Sequence, residues 1–377
     1  MRQIYFVVVL FVCPLMAATY EGNAERIVLE HADTLRSSKG VRHLIGNVRI
    51  RKGETVIIAD RAKYNPNSGQ VNLTGKVVMQ EPERRIDANR VSYNELSGDF
   101  EAVGDVDIVQ GDSLRLRCRI ARYYKENETV DLSGNVIIDI LSDNSRITGD
   151  HGNWNQIDDS AIIDQNPVYK LPDEEGESPD TLAITSDILY FNRDKRTALF
   201  TGNVVLTRDD MRAVADSLRH LPDSSLTILS GKPVIWQNDD ELTGDLIELQ
   251  YAGRKLEKMF VIGSAQVLSK PRTDDARRNY VTGEKLELTT INDSTRIIYV
   301  EGNAQGEYHI WDENGNYRGV NISASDSIEL TIVLDKTTSV ILEGRAKGVF
   351  YPPEDVPEGV GLRETNIFDD KEFREQN

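Results

Sequence analysis

The chain has 377 residues, 39% of them hydrophobic, with 44 Lys and Arg against 62 Asp and Glu for a net charge of −18. That excess of negative charge speaks against nucleic acid as a partner, because phosphates call for clustered Lys and Arg, and against adhesion to an anionic membrane by charge alone. No run of about twenty apolar residues is present, which excludes an ordinary membrane-spanning helix, and the length suits two or three ordinary domains or one repeat-built body.

Arg2 gives a short positive region, Ile4 to Leu15 is almost wholly apolar, and Met16-Ala17-Ala18 offers small residues for cleavage. This pattern predicts a secretory signal peptide over residues 1–18, with an uncleaved N-terminal anchor as the alternative. Cys13 invites a lipoprotein reading, but Phe11 and Val12 before it are not the small residues that such processing needs. Once the signal is removed Cys118 stands alone, so no internal disulfide forms and a buried structural thiol is expected.

A short pattern then keeps returning: apolar, x, apolar, x, Gly, x, Val, x, apolar. It is seen at Leu73-Thr74-Gly75-Lys76-Val77, Leu132-Ser133-Gly134-Asn135-Val136 and Phe200-Thr201-Gly202-Asn203-Val204, and around Gly46, Gly104, Gly231, Gly263, Gly302 and Gly344. Gln165-Asn166-Pro167-Val168 fills one remaining gap, giving ten copies at a period of about 30 residues, the signature of a repeat architecture. Each glycine segment follows a first half that carries a small residue, an acid and alternating apolar positions. Ala59-Asp60-Arg61-Ala62-Lys63-Tyr64, Ser186-Asp187-Ile188-Leu189-Tyr190-Phe191 and Gly244-Asp245-Leu246-Ile247 are examples. Period two predicts strands, and the Asn, Asp, Gly and Pro between them predict turns.

Parity places Val130, Leu132, Gly134, Val136 and Ile138 on one face of a strand, and Ala198, Phe200, Gly202, Val204 and Leu206 on one face of another, so one face is dry and the other wet. The mid-strand glycine reads as the crease where a strand passes between two sheets. Residues 209–221 fit the first-half pattern around Ala215-Asp216 better than a helix. The acidic, proline-bearing stretch 171–181 reads as a linker between five units over 26–170 and five over 182–348, and the acidic residues 349–377 read as a flexible tail after the pattern stops.

Chemistry is hard to find. The histidines His31, His43, His151, His220 and His309 lack ligand spacing, so no metal site is expected; Gly149-Asp150-His151 sits at the acid position of a repeat and reads as structural. The recurring Asp60, Asp187, Asp216, Asp245 and Asp326 read as turn and capping residues rather than calcium ligands. No nucleophile elbow or phosphate loop occurs, so no catalytic residue and no cofactor is expected and the chain is not read as an enzyme. Arg115-Leu116-Arg117-Cys118-Arg119 alternates basic and apolar residues, as one wet strand face does; contact with lipid phosphates is the other reading.

A signal peptide followed by small-Asp-x-apolar-x-Tyr, a turn and apolar-x-Gly-Asn-Val, repeated over residues 26–348, resembles the OstA/LptA family of periplasmic lipopolysaccharide-transport proteins. The resemblance implies an all-β, repeat-built open β-jellyroll, a V-shaped stack of two antiparallel sheets in about ten two-strand units, working in the periplasm. It further implies an interior that takes lipid A acyl chains, lined here by Val77, Val106, Leu132, Val136, Phe200, Val204, Leu206 and Val261. Implied partners are lipopolysaccharide and other OstA-like proteins at both membranes, met through strand edges, with head-to-tail self-assembly as a further option. Splayed sheets would make these residues a groove; closed sheets would make them the core of a purely structural β-solenoid scaffold or adhesin-like passenger. The pattern alone leaves both open.

Overall fold

The computed structural model describes residues 27–142, 144–172, 181–192, 195–208, 211–237, 240–252, 255–272, 275–292, 295–312, 314–333 and 336–363. The signal peptide over 1–18, most of the acidic linker and the last residues of the tail lie outside them.

The described residues are strands and turns, with two 3-10 turns at Pro222–Ser224 and Pro353–Asp355 as their helical elements. Strands alternate between two kinds. An acid strand such as Thr55–Asn65 carries Asp60 near its middle, and a glycine strand such as Gln70–Gln80 carries Gly75. Some are broken at this midpoint, as in Leu226–Ser230 and Val234–Gln237 around Gly231. Joined across such breaks, the strands make ten acid–glycine pairs among the described residues, all antiparallel. The fold class is therefore the expected all-β jellyroll of about ten two-strand units. Residues 211–221 are a strand, as their pattern predicts.

The crease has a definite construction. On either side of it Ile58 pairs with Val78 and Arg61 with Thr74, so two residues of the glycine strand, Gly75 and Lys76, oppose the single Asp60. The same two-against-one bulge opposes Gly46 and Asn47 to Asp60, Gly134 and Asn135 to Arg119, and Gly302 and Asn303 to Asp326. Such a bulge bends the strand and raises its twist. Both bulged residues take positive φ, as at Gly75 (+79°) and Lys76 (+44°), which explains why glycine comes first and Asn so often second: these residues enter left-handed backbone most cheaply. Gly75 is required for a second reason. A Cβ there would fall 2.2 Å from the Asp60 carboxylate.

The crease divides every strand into two wings. Residues before the acid pair with residues after the glycine (Ile57 with Met79), and residues after the acid pair with residues before the glycine (Tyr64 with Val71). Apolar side chains of both wings point to one side. On Gln70–Gln80, Leu73, Val77 and Met79 are buried while Thr74, Lys76 and Gln80 are exposed. The acid strand changes parity opposite the bulge, burying Ile57 and Ala59 before Asp60 and Ala62 after it.

The chain forms two compact units. The first gathers the described residues from 27 to 172 together with 185–198; the second gathers 181–184 together with 199–363. The core of the first includes Leu73, Val77, Val91, Leu132 and Ile138, and that of the second Phe200, Leu218, Leu229, Ile247 and Val261.

Two expectations about the C-terminal part need correction. The pattern does not stop at Gly348: Lys347–Tyr351 is a strand paired with Val320–Ala324, and residues 352–363 continue over the outer face of the second unit. Nor is that outer face uniformly wet. His309 and Val320 are buried on it; the Gly361 carbonyl accepts a hydrogen bond from the Arg278 backbone N–H at 3.0 Å, and a Cβ at Gly361 would meet the His309 ring. The Arg363 guanidinium stacks 3.8 Å from the Tyr280 ring centre and pairs with Glu307. The segment reads as an acidic tail by composition, yet Val356 and Val360 are half-buried and Gly361 is buried.

Candidate functional site

The residues expected to line a lipid groove fall on the inner face of both units. Val77 lies on Gln70–Gln80, Val106 on Phe100–Gln110, and Leu132 with Val136 on Thr129–Ile140, all in the first unit. Phe200, Val204 and Leu206 lie on Thr197–Arg208 and Val261 on Lys255–Ser269, all in the second. Neighbouring strands supply partners of the same kind: Val77 faces Ala88, Leu132 faces Ala121, Val106 faces Cys118 and Val261 faces Ile247. Each of the eight is at most 1% exposed. The interior of each unit is dry and packed here.

It is less closed at the terminal strands. In the first unit Leu29 and Leu35, paired with the inner residues Ile50 and Leu44, are 40% and 56% exposed. In the second Val340 and Phe350, on the strands Lys336–Glu343 and Lys347–Tyr351, are 43% and 51% exposed. Among the described residues these strands pair on one side only, so their other backbone edge is open.

A cavity of about 190 Å³ beside Tyr280, Glu307, Ile322, Lys347 and Val349 is smaller than the ~300 Å³ at which ordinary ligand pockets begin, and it is no acyl-chain site.

The polar residues named from the sequence have partners. The Asn47 side-chain N–H donates to Asp33 at 3.1 Å, Asn303 to Glu284 at 2.9 Å, Asn166 to Asp150 at 2.8 Å, and the Arg345 Nε to Asp326 at 2.8 Å. The recurrent acid thus holds the residue after the glycine, and no cluster of three His, Cys, Asp or Glu gathers among the described residues. Arg115 is bound to Asp107 at 2.6 Å and Arg117 to Asp139 at 2.8 Å, forming cross-strand pairs on the wet face. The Asp139 carboxyl is held below its usual range: burial opposes this, but the Arg146 and Arg117 guanidiniums outweigh it. His151 bridges two strands, with Nδ1 2.6 Å from Asp164 and Nε2 2.8 Å from Asp131, and these carboxylates raise its pKa. Cys118 is buried and its thiol is pushed up to about 12 by burial, so it is inert.

No residue pattern pointed to a polar cluster in the second unit, where the two wings approach. Asp240 Oδ2 lies 3.9 Å from Arg296 Nη1, and the Tyr308 hydroxyl is hydrogen-bonded to the Thr337 hydroxyl. Asp240, Arg296 and Thr337 stand at hairpin ends, where any polar residue satisfies the repeat, and Tyr308 reaches them from within the strand Thr295–Trp311, opposite Asn321.

Residues 57–156 match the family described as LptA/(LptD N-terminal domain) LPS transport protein, the family that the repeat resembles. Among solved structures, the chain is similar to LptH of Pseudomonas aeruginosa, titled the LptA homologous periplasmic component of the conserved lipopolysaccharide transport device. The two share 18% identity over 38% of this chain and 95% of that one, at a TM-score of 0.30. No curated protein matches the chain.

Proposed function

We propose that this chain, OstA/LptA-like in its repeat and matched to that family over residues 57–156, acts in lipopolysaccharide transport in the periplasm. Its inner face receives lipid A acyl chains, and its open strand edges meet other OstA-like proteins or further copies of itself. The observation that carries the reading is the state of the terminal strands. Leu35 and Phe350 present inner-face apolar surface beside an unpaired backbone edge, which suits both an entering acyl chain and a partner strand.

Burying a methylene from water is worth about 0.8 kcal/mol. About half of that gain is available at Leu29, Leu35, Val340 and Phe350, which are 40%, 56%, 43% and 51% exposed. It is smaller at Phe200 or Leu132, each already buried within its own unit, so an acyl chain there replaces side-chain contacts instead of water. Loading of the middle therefore requires the wings to separate. The nearly complete burial of the eight inner residues favours a second reading, a closed structural β-solenoid with no lipid.

Site-specific photocrosslinking in cells that make lipopolysaccharide separates the two. A photoreactive residue goes at Leu35, Phe200 and Phe350, with Thr74 and Arg219 as exposed outward controls. Lipid adducts at the inward positions alone support transport. Silence at all five positions in folded protein supports the closed solenoid.

A further inference from the structure

We propose that the second unit carries a latch across the mouth of its interior, formed by Asp240, Arg296, Tyr308 and Thr337, which must part before the proposed acyl site fills. The inference rests on the lipid reading and concerns access to that site.

The four residues divide between the two wings. Asp240 opens the strand Asp240–Thr243, ahead of the acid Asp245, and so lies in the first wing. Tyr308 lies after Gly302 on Thr295–Trp311, in the same wing. Arg296 precedes Gly302 on that strand, and Thr337 precedes Gly344 on Lys336–Glu343; both lie in the second wing. Asp240 is paired in the sheet with Gln237, and Arg296 with Thr290 and Ile332, so no ladder joins them. The Asp240–Arg296 ion pair and the Tyr308–Thr337 hydrogen bond therefore run from wing to wing.

The contacts form one cluster. Asp240 also acts on Tyr308, whose hydroxyl is pushed up to about 12, chiefly by burial. Side chains of Asp240 and Arg296 are 20% and 19% exposed, so the pair is largely removed from water, unlike the surface pairs of the wet face. A further wing-to-wing approach brings the Arg208 guanidinium, after Gly202, to act on the half-buried Tyr251, which follows Asp245. The offset has one sense: in each case the second-wing residue comes later in the chain. Apolar residues alone would close the wings without selecting how they meet. Polar contacts at the rim fix that meeting and break without exposing the apolar floor to an unpaired charge, because both partners return to water.

The test uses the full chain with Asp240→Cys and Arg296→Cys, in a Cys13→Ser and Trp154→Phe background, joined by a bis-maleimide with a reducible disulfide spacer. Cys118 is buried and stays out of the reaction. The probe is cis-parinaric acid, read by energy transfer from Trp236 and Trp311, with circular dichroism confirming the fold of each form. The joined form should take up the probe slowly. Reduction of the spacer, which leaves the wings free and the ion pair absent, should bring uptake about 5-fold above that of the parent chain, the effect of losing one interaction of roughly 1 kcal/mol. Tyr308→Phe should accelerate uptake in the same direction without any cysteine. Equal uptake by joined, reduced and parent forms overturns the latch and leaves the lipid site standing. Absence of transfer in every form overturns the lipid site and the latch with it.

Discussion

Replacing Gly75 by alanine tests whether the crease is built as described. Gly75 has φ +79°, a conformation in which a Cβ costs about 1–2 kcal/mol. The added carbon would fall 2.2 Å from Asp60 Oδ2 and 2.8 Å from Asp60 Cβ. Rotating the Asp60 side chain relieves the first contact but not the second, so the backbone must shift, a form of overpacking worth about 1–3 kcal/mol. The expected loss is roughly 2–4 kcal/mol. Gly111→Ala is the control: φ is +51° and nothing lies within 4 Å of the new Cβ, so about 1 kcal/mol should be lost. Urea unfolding is followed by Trp154, the tryptophan of the first unit, with Trp236 and Trp311 replaced by phenylalanine. At about 1–3 kcal/mol per molar urea, the Gly75→Ala midpoint should fall by roughly 0.7–4 M. Adding Asp60→Gly should recover about 1 kcal/mol of that loss. Equal losses at Gly75 and Gly111 would refute the contact with Asp60, and a loss below about 0.5 kcal/mol at Gly75 would refute the left-handed crease itself.

Lys76→Asn should stabilise the first unit by a few tenths of a kcal/mol, because Lys76 holds φ +44° and asparagine enters that region more easily; the same urea titration reads it. His151→Asn should show a pH-dependent deficit. The native pKa is raised by Asp164 and Asp131, so the wild-type advantage is full below about pH 6.5 and fades as pH rises through the raised native value; a deficit that grows with pH would contradict the bridge. Arg115→Gln with Asp107→Asn should cost at most about 1 kcal/mol, since the pair is 46% and 28% exposed, and should leave lipid crosslinking unchanged because the arginine is already engaged.

The strands and their creases were legible for a physical reason. A left-handed bulge admits few residues, so selection writes Gly and Asn at the same point of every unit, and a half-buried strand writes its period of two on either side. Gly75, Gly134 and Gly202 announce the bend without any knowledge of the structure. The acid opposite was also readable as a local hydrogen-bond partner, and Asp33, Asp150, Glu284 and Asp326 accept such bonds. The fate of residues 349–363 was not legible. Val356, Val360 and Gly361 are too sparse to form a periodic signal, and what holds them is a receiving surface formed by His309, Tyr280 and Arg278, distant in sequence.

The same limit applies to the candidate site and sharpens what the site must do. Val136 and Phe200 are apolar whether they line a groove or fill a core, so the residue pattern identifies the surface and is silent on the space beside it. Space is decided by contacts at the rim, and Asp240, Arg296 and Thr337 obey no repeat because hairpin ends tolerate any polar side chain, while Tyr308, inside its strand, keeps the period of two and shows nothing of its partner. A chain that served only as a rigid solenoid would gain from apolar closure along the whole mouth. In this one the floor is apolar to within 1% exposure, while the rim of the second unit is held by an ion pair and a hydroxyl–hydroxyl bond. Opening exposes the floor at about 25 cal/mol per Å² of apolar surface, and an acyl chain that covers the same surface restores most of that cost. The rim bonds, which the lipid does not replace, are then the part of the opening cost that remains, and they set how readily the interior exchanges side-chain contacts for lipid.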